Sequence, residues 1–260
     1  MKLKDQLLGE IGRLPELVLP GNKSERNVFG ASVIAAMDGK IMRIYVGSCP
    51  DYSHDGKRYT HKLLSDGIPL LTRHHLEVNT PLLPIFGKYG IECEMVVMVA
   101  DVEATDEVFC QRFAGGSESE FLEKCARSAN ATAAILQYPN IRSSTFFNEF
   151  GRQRFMLTQQ EYIEVLRQKI GDGGSFRSRV SADIYSRGEL YKKMYPFIFD
   201  SGVSSMKREE FLIGRTLRTM AQYLTLGRLI SDSGGPVIVI NHPTTNASMY
   251  NDRGKFLLPR

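Results

Sequence analysis

Residues 92–100 read Glu-Cys-Glu-Met-Val-Val-Met-Val-Ala. From Met95 onward every position is apolar, and the run is too short for a helix that fills a core. A strand with one wet face alternates apolar and polar residues, whereas a strand covered on both faces does not. The stretch therefore predicts a central strand of a parallel sheet. It stops abruptly in Asp101-Val102-Glu103. Two further apolar runs behave the same way. Residues 41–46 stop in Gly47-Ser48-Cys49-Pro50-Asp51, and Val237–Ile240 stops in Asn241-His242-Pro243.

The segments between these runs carry helix signals. Ser117 and Glu120 have the S-x-x-E spacing of a capping box and predict a helix over 118–136. Thr158 and Glu161 have the same spacing and predict a helix over 158–170. Ile213, Leu217, Met220 and Leu224 fall on one stripe of a helix over 206–230, with Arg208, Arg215, Arg218 and Gln222 on another face. Residues 28–37 are apolar enough for a strand or a buried helix. Asp38-Gly39 between apolar runs suggests an antiparallel hairpin at the start of 31–47. Pro69, Pro81 and Pro84 restrict any helix over 69–86 to a short one. Strands alternating with helices predict an α/β fold with a mainly parallel sheet flanked by helices. A single domain over 1–260 is expected, with an N-terminal helix and a helical, basic insertion near 151–230.

Composition narrows the function classes. The chain has 260 residues, 42% hydrophobic and 24% charged, with a net charge of +4. No apolar run reaches a membrane span, and residues 1–20 alternate charge and leucine instead of forming a secretory signal. A cytoplasmic protein without membrane contact is expected. Charge is unevenly spread: residues 1–150 hold 16 Lys/Arg against 19 Asp/Glu, and residues 151–230 hold 14 against 8. Such asymmetry steers a polyanion such as RNA or belongs to a solvated helical surface. In the basic segment Arg177, Arg179, Arg187, Lys192 and Lys193 interleave with Phe176, Tyr185, Tyr191 and Tyr195. Cations for phosphates and aromatics for bases make an RNA-binding composition, and structural tyrosines beside surface charges make the same one.

The four cysteines, Cys49, Cys93, Cys110 and Cys125, contain no C-x-x-C pair, which argues against a zinc ribbon or a thioredoxin motif. Cys93 and Cys110 are expected as buried thiols. His54, His61, His74 and His75 lack metal-ligand spacing, so loop histidines and no metal are expected. Neither G-x-G-x-x-G nor G-x-x-x-x-G-K-[ST] occurs, and no cofactor is expected.

In open parallel sheets ligands bind beyond the carboxyl ends of the strands. Parallel strands would gather Ser48, Cys49, Asp51, Asp101, Glu103, Asn241 and His242 on one edge. Ser48 and Cys49 are alternative nucleophiles. His242 is a candidate base, and Asp101 or Glu103 could orient groups or relay protons.

The order of these parts resembles the tRNA-dependent cyclodipeptide synthases, which have a Rossmann-like domain related to class I aminoacyl-tRNA synthetases and use no ATP. Val46-Gly47-Ser48 is similar to the G-x-S turn of that family, Asp101-Val102-Glu103 to its acidic segment, and Asn241-His242 to the edge of its last strand. The resemblance implies a Rossmann-like fold, a catalytic Ser48 carrying an aminoacyl ester, proton transfer by Glu103 or His242, and aminoacyl-tRNA as partner. Gly47, Cys49, Asp51, Asp101 and Asn241 would contact the substrate. The family tyrosine followed four residues later by glutamate is matched by Tyr223, but Gly227 stands where the acid belongs. Asn241 replaces the tyrosine before His242, and the family's arginine-rich helix is replaced by a segment with only Lys124 and Arg127. Two other readings fit the same residues: a Rossmann-like transferase or lyase acting on a free amino acid or nucleotide, and a non-catalytic RNA-binding module.

Overall fold

The structure is a computed structural model and describes residues 2–14, 17–18, 23–48, 53–54, 59–60, 80–110, 117–135, 138–240 and 256–259. In chain order the elements are α1 (Lys2–Ile11), β1 (Leu17–Val18), α2 (Lys23–Met37), β2 (Met42–Ser48), β3 (Ser53–His54), β4 (Tyr59–Thr60), α3 (Leu82–Lys88), β5 (Cys93–Val99), α4 (Glu107–Phe109), α5 (Glu118–Ile135) and β6 (Ile141–Thr145). Then follow α6 (Phe146–Phe150), α7 (Arg152–Gly171), α8 (Gly174–Ser186), α9 (Gly188–Met194), α10 (Ser205–Asp232), β7 (Val237–Ile240) and β8 (Phe256–Pro259). Short 3-10 turns occupy Val102–Thr105 and Pro196–Phe199.

The main sheet has the order β1-β8-β7-β2-β5-β6. Every neighbouring pair from β8 to β6 is parallel, and β1 joins β8 antiparallel. This is the Rossmann-like α/β sheet flanked by helices. The run at 92–100 is its inner strand β5, with only Glu94 less than buried between Cys93 and Val99.

Alternate residues explain the layering. Ile44 and Val46 of β2, Met95 and Val97 of β5, Ile141 of β6 and Ile238 of β7 join one core with Leu7, Ile11, Phe29, Val33, Leu82 and Phe86 from α1, α2 and α3. Phe29, Val33 and Ala36 recur at helical spacing, which makes 28–37 a helix and not a strand. Asp38-Gly39 accordingly turns a helix into a strand, with Gly39 at φ 87. The expected hairpin is absent because β2 has parallel neighbours on both sides. A left-handed glycine ends a helix as readily as it makes a hairpin.

Residues of the other parity place an ion network across three strands. Glu94 Oε2 accepts from Arg43 Nε at 3.3 Å, and its Oε1 accepts from Arg142 Nε at 2.6 Å. Arg142 then holds Glu149 through two parallel bonds of 2.7 Å. The two arginines hold the Glu94 carboxyl below the usual range, against the desolvation that raises it.

The capping box at Ser117 forms: its backbone N–H donates to Glu120, and the Glu120 N–H donates to the Ser117 hydroxyl at 3.4 Å. The one read at Thr158 does not. α7 begins six residues earlier, after Gly151 at φ 80, and Thr158 is buried inside it. The T-x-x-E spacing also occurs along the face of a continuous helix, so spacing alone did not mark its start. In α3 the proline at position 84 lies in the first turn, where the missing N–H costs little.

The chain divides into two compact units, Met1–Phe150 with Ile230–Arg260, and Gly151–Leu229. The second is helical. Tyr195 is buried edge-on against Phe211 at 5.1 Å, and the Tyr191 hydroxyl meets Thr216 at 3.1 Å. Arg208 stacks over Phe199 and donates to the Ile198 carbonyl at 2.9 Å, fastening the 3-10 turn to α10.

Because Met95 is fully buried at the centre of β5, Met95→Ala is expected to lower the unfolding free energy by about 2–5 kcal/mol. The exposed Glu92→Ala should change it by less than about 0.5 kcal/mol. Urea unfolding of the two variants checks the assignment of β5 as the inner strand.

Candidate active site at the carboxyl edge of the sheet

The register fixes which residues share the carboxyl edge. Ser48 pairs with Val99, Val46 with Ile240, and Val99 with Thr145. Ser48 therefore ends the strand between β5 and β7, and Asp101 follows the partner of Ser48 by two residues. Cys49, Asp51, Asn241 and His242 lie outside the described residues. Gly47 is half-buried, and an added Cβ would meet no described atom within 4 Å. Neither its φ nor crowding among the described atoms explains the glycine.

Asp101 is 2% exposed. Its Oδ1 and Oδ2 accept the Phe147 N–H at 3.2 and 3.3 Å. Bonds from Thr145 and from the backbone of Phe146 and of Asp101 itself add to these. Thr145 in turn accepts the Asn148 N–H at 3.2 Å. Desolvation pushes the Asp101 carboxyl up to about 6, and these hydrogen bonds pull against it. Asp101 was expected beside the substrate. Its oxygens hold the first turn of α6 to the end of β5. The sequence reading missed Thr145. The available signal was a threonine at the end of a strand with Asn148 three residues on, a helix N-cap pattern.

Glu103 lies half-buried in the 3-10 turn after Asp101. The Cys110 thiol donates to the Ala104 carbonyl of this turn at 3.4 Å, and the Cys125 thiol to the carbonyl of Ala100, just before it, at 3.8 Å. Burial pushes the Cys93 thiol up to about 12, with the charge of Glu92 adding to it. These three cysteines are core residues, as expected of Cys93 and Cys110. Among the described residues no group of three His, Cys, Asp or Glu side chains could hold a metal ion.

In the second unit, Tyr223 is half-buried on α10. Of the expected RNA-binding cations, Arg187 pairs with the buried Asp183 at 3.2 Å, Lys192 with Glu189 at 2.7 Å, and Arg177 with Glu209 at 3.7 Å. Arg179 is exposed and lies over the Phe176 ring at 5.9 Å. Lys193 lies on α9. The interleaved tyrosines separate by burial: Tyr191 and Tyr195 are core, whereas Tyr185 is 90% exposed. Stacking on bases is thus open to Tyr185 and closed to the other two. No helix of the described residues is long and apolar enough to cross a membrane.

No protein-family model matches the chain, and no curated protein matches it in sequence. Among solved structures it is similar to that of the Mycobacterium tuberculosis protein Rv2275. The match has 13% identity and a TM-score of 0.40, and covers 95% of this chain and 96% of that one. The Rv2275 structure is described as demonstrating that cyclodipeptide synthetases are related to type I tRNA-synthetases.

Burial makes a pH prediction for Asp101. Its folded value of about 6 lies above the ordinary 3.8, so folding favours the protonated form. That contribution is complete below pH 4 and is lost as pH rises through 6, an effect of about 3 kcal/mol. The stability difference between the wild-type chain and Asp101→Asn should therefore shrink by this amount between pH 4 and 7 in urea unfolding. A difference that stays constant with pH would contradict the buried carboxyl.

Proposed function

We propose that the chain is an aminoacyltransferase resembling the tRNA-dependent cyclodipeptide synthases. The observation that carries the reading is the place of Ser48. It follows Gly47 at the end of β2, flanked on both sides by parallel strands whose continuations hold Asp101 and Glu103 on one side and Asn241 and His242 on the other. A serine at the middle of such an edge lies where ligands of parallel sheets bind.

In this reading the Ser48 hydroxyl attacks the ester carbonyl of an aminoacyl-tRNA. The aminoacyl group moves to Ser48, and the terminal ribose hydroxyl of the tRNA leaves with a proton. The donor is already an activated ester, so no ATP is consumed. The amine of a second aminoacyl-tRNA then attacks the Ser48 ester, forming the peptide bond and returning the Ser48 hydroxyl. The free amine of the dipeptide attacks the ester that still joins it to the second tRNA, closing the ring and releasing the ribose hydroxyl of that tRNA. Glu103 or His242 carries protons between amine and hydroxyl. Backbone N–H groups of the 47–51 turn stabilise the oxyanion. Gly47, Cys49, Asp51, Asp101 and Asn241 line the substrate, and Tyr223 takes the role of the family tyrosine. Arg177, Arg179, Arg187, Lys192 and Lys193, with the exposed Tyr185, hold the tRNA.

Incubating the purified chain with tRNA carrying a labelled amino acid is expected to label the protein at Ser48 and to release cyclic dipeptide. Ser48→Ala should lower product at least about a hundredfold, whereas Cys49→Ala should keep the label. Full activity of Ser48→Ala overturns the reading. Turnover that survives ribonuclease identifies an enzyme acting on a free amino acid or nucleotide.

A further inference from the structure

At the end of β6, Thr145 stands in register with Val99 of β5, and Val99 in register with Ser48. Thr145 is buried, and the chemistry above does not use it. A threonine hydroxyl has one proton to give. The Asn148 N–H, at 3.2 Å, is a donor, so the Thr145 oxygen accepts there. Its proton is left for Asp101, whose carboxyl also takes the N–H groups of Phe146 and Phe147. The hydroxyl is thus engaged on both sides and ties the start of α6 to the carboxyl that follows β5. Valine has the same shape and lacks the hydroxyl. It would leave one donor fewer at a buried carboxyl and the Asn148 N–H without this acceptor.

The turn that carries Glu103 starts from Asp101. The Asp101 carbonyl accepts the Ala104 N–H at 3.0 Å, and the Glu103 carbonyl accepts the Asp106 N–H at 2.9 Å. Glu103 therefore lies between two backbone bonds, the first of them made by Asp101. The Asp101 side chain anchors that turn to β6 and α6, and the bond from Thr145 is one of its anchors. A proton carrier must stay within hydrogen-bond reach of the atoms it serves, and a displacement of about 1 Å costs about a hundredfold in rate. We propose that Thr145 is a positioning residue of the aminoacyl transfer, acting through Asp101 on the turn that holds Glu103. The inference rests on the reading of Glu103 as a proton carrier in that reaction.

The test measures cyclic dipeptide formation from aminoacyl-tRNA by the full chain, well below its thermal midpoint. It compares Thr145→Val, Thr145→Ser, Glu103→Gln and the double variant Thr145→Val/Glu103→Gln. Thr145→Val is expected to lower kcat at least about tenfold with KM for aminoacyl-tRNA unchanged within about twofold, and Thr145→Ser to restore it. Glu103→Gln should lower kcat as well, and Thr145→Val should cost nothing further in its presence. A hydroxyl that serves the fold alone lowers the thermal midpoint of Thr145→Val but leaves kcat in place, or lowers kcat equally in both backgrounds. Either result overturns the role, and so does a Thr145→Ser variant no more active than Thr145→Val. Full activity of Glu103→Gln removes the role of Thr145 while Ser48 acylation stands. A wild-type chain that neither labels at Ser48 nor releases cyclic dipeptide removes the aminoacyl-transfer reading, and this role with it.

Discussion

The arrangement depends on β2 being hydrogen-bonded to parallel strands on both sides. Neighbouring strands lie about 4.8 Å apart. In-phase pairing with β5 and β7 therefore brings the ends of three strands, distant in sequence, within reach of one small ligand. A parallel strand pair cannot be closed by a tight turn, so each connection crosses a face of the sheet and covers it. α3 lies on the connection from β2 to β5 and joins α1 and α2 in one core with alternate residues of those strands. On the opposite parity the same strands carry Arg43, Glu94 and Arg142, which tie the sheet across its width.

Asp101 shows how that edge is held in shape. A carboxyl this buried is tolerated where several donors meet it, and here they come from Thr145 and from the first turn of α6. The ends of β5 and β6 are thereby linked through one side chain. Glu103, two residues further on, sits in a turn whose Ala104 carbonyl accepts from the Cys110 thiol. An acid whose surroundings are fixed in this way can be positioned for proton transfer.

The second unit separates two properties that a composition merges. Its basic and aromatic residues are interleaved in the chain, but the tyrosines at 191 and 195 pack inward, and Arg187 neutralises the buried Asp183. Arg177, Arg179, Tyr185 and Lys192 remain exposed. The face of α10 that reads as polar is buried at Gln222 and Thr225, whereas Arg215 and Arg218 on the same face are half-buried.

Much of this was determined by the sequence alone. The uninterrupted apolar run of β5 dictated an inner parallel strand, because only a strand covered on both faces lacks alternation. Ser117 and Glu120 marked the start of α5, since a capping box acts through atoms three residues apart. Tertiary structure decided what local spacing leaves open. Asp38-Gly39 suits a hairpin and a helix end equally, and only the parallel partners of β2 chose between them. Thr158 and Glu161 fit a cap or a helix interior, and Gly151 settled it from outside the motif. The burial of Asp101, Thr145, Gln222 and Thr225 was likewise hidden, because burial and hydrogen-bond partners are properties of neighbours that the chain brings together from far away.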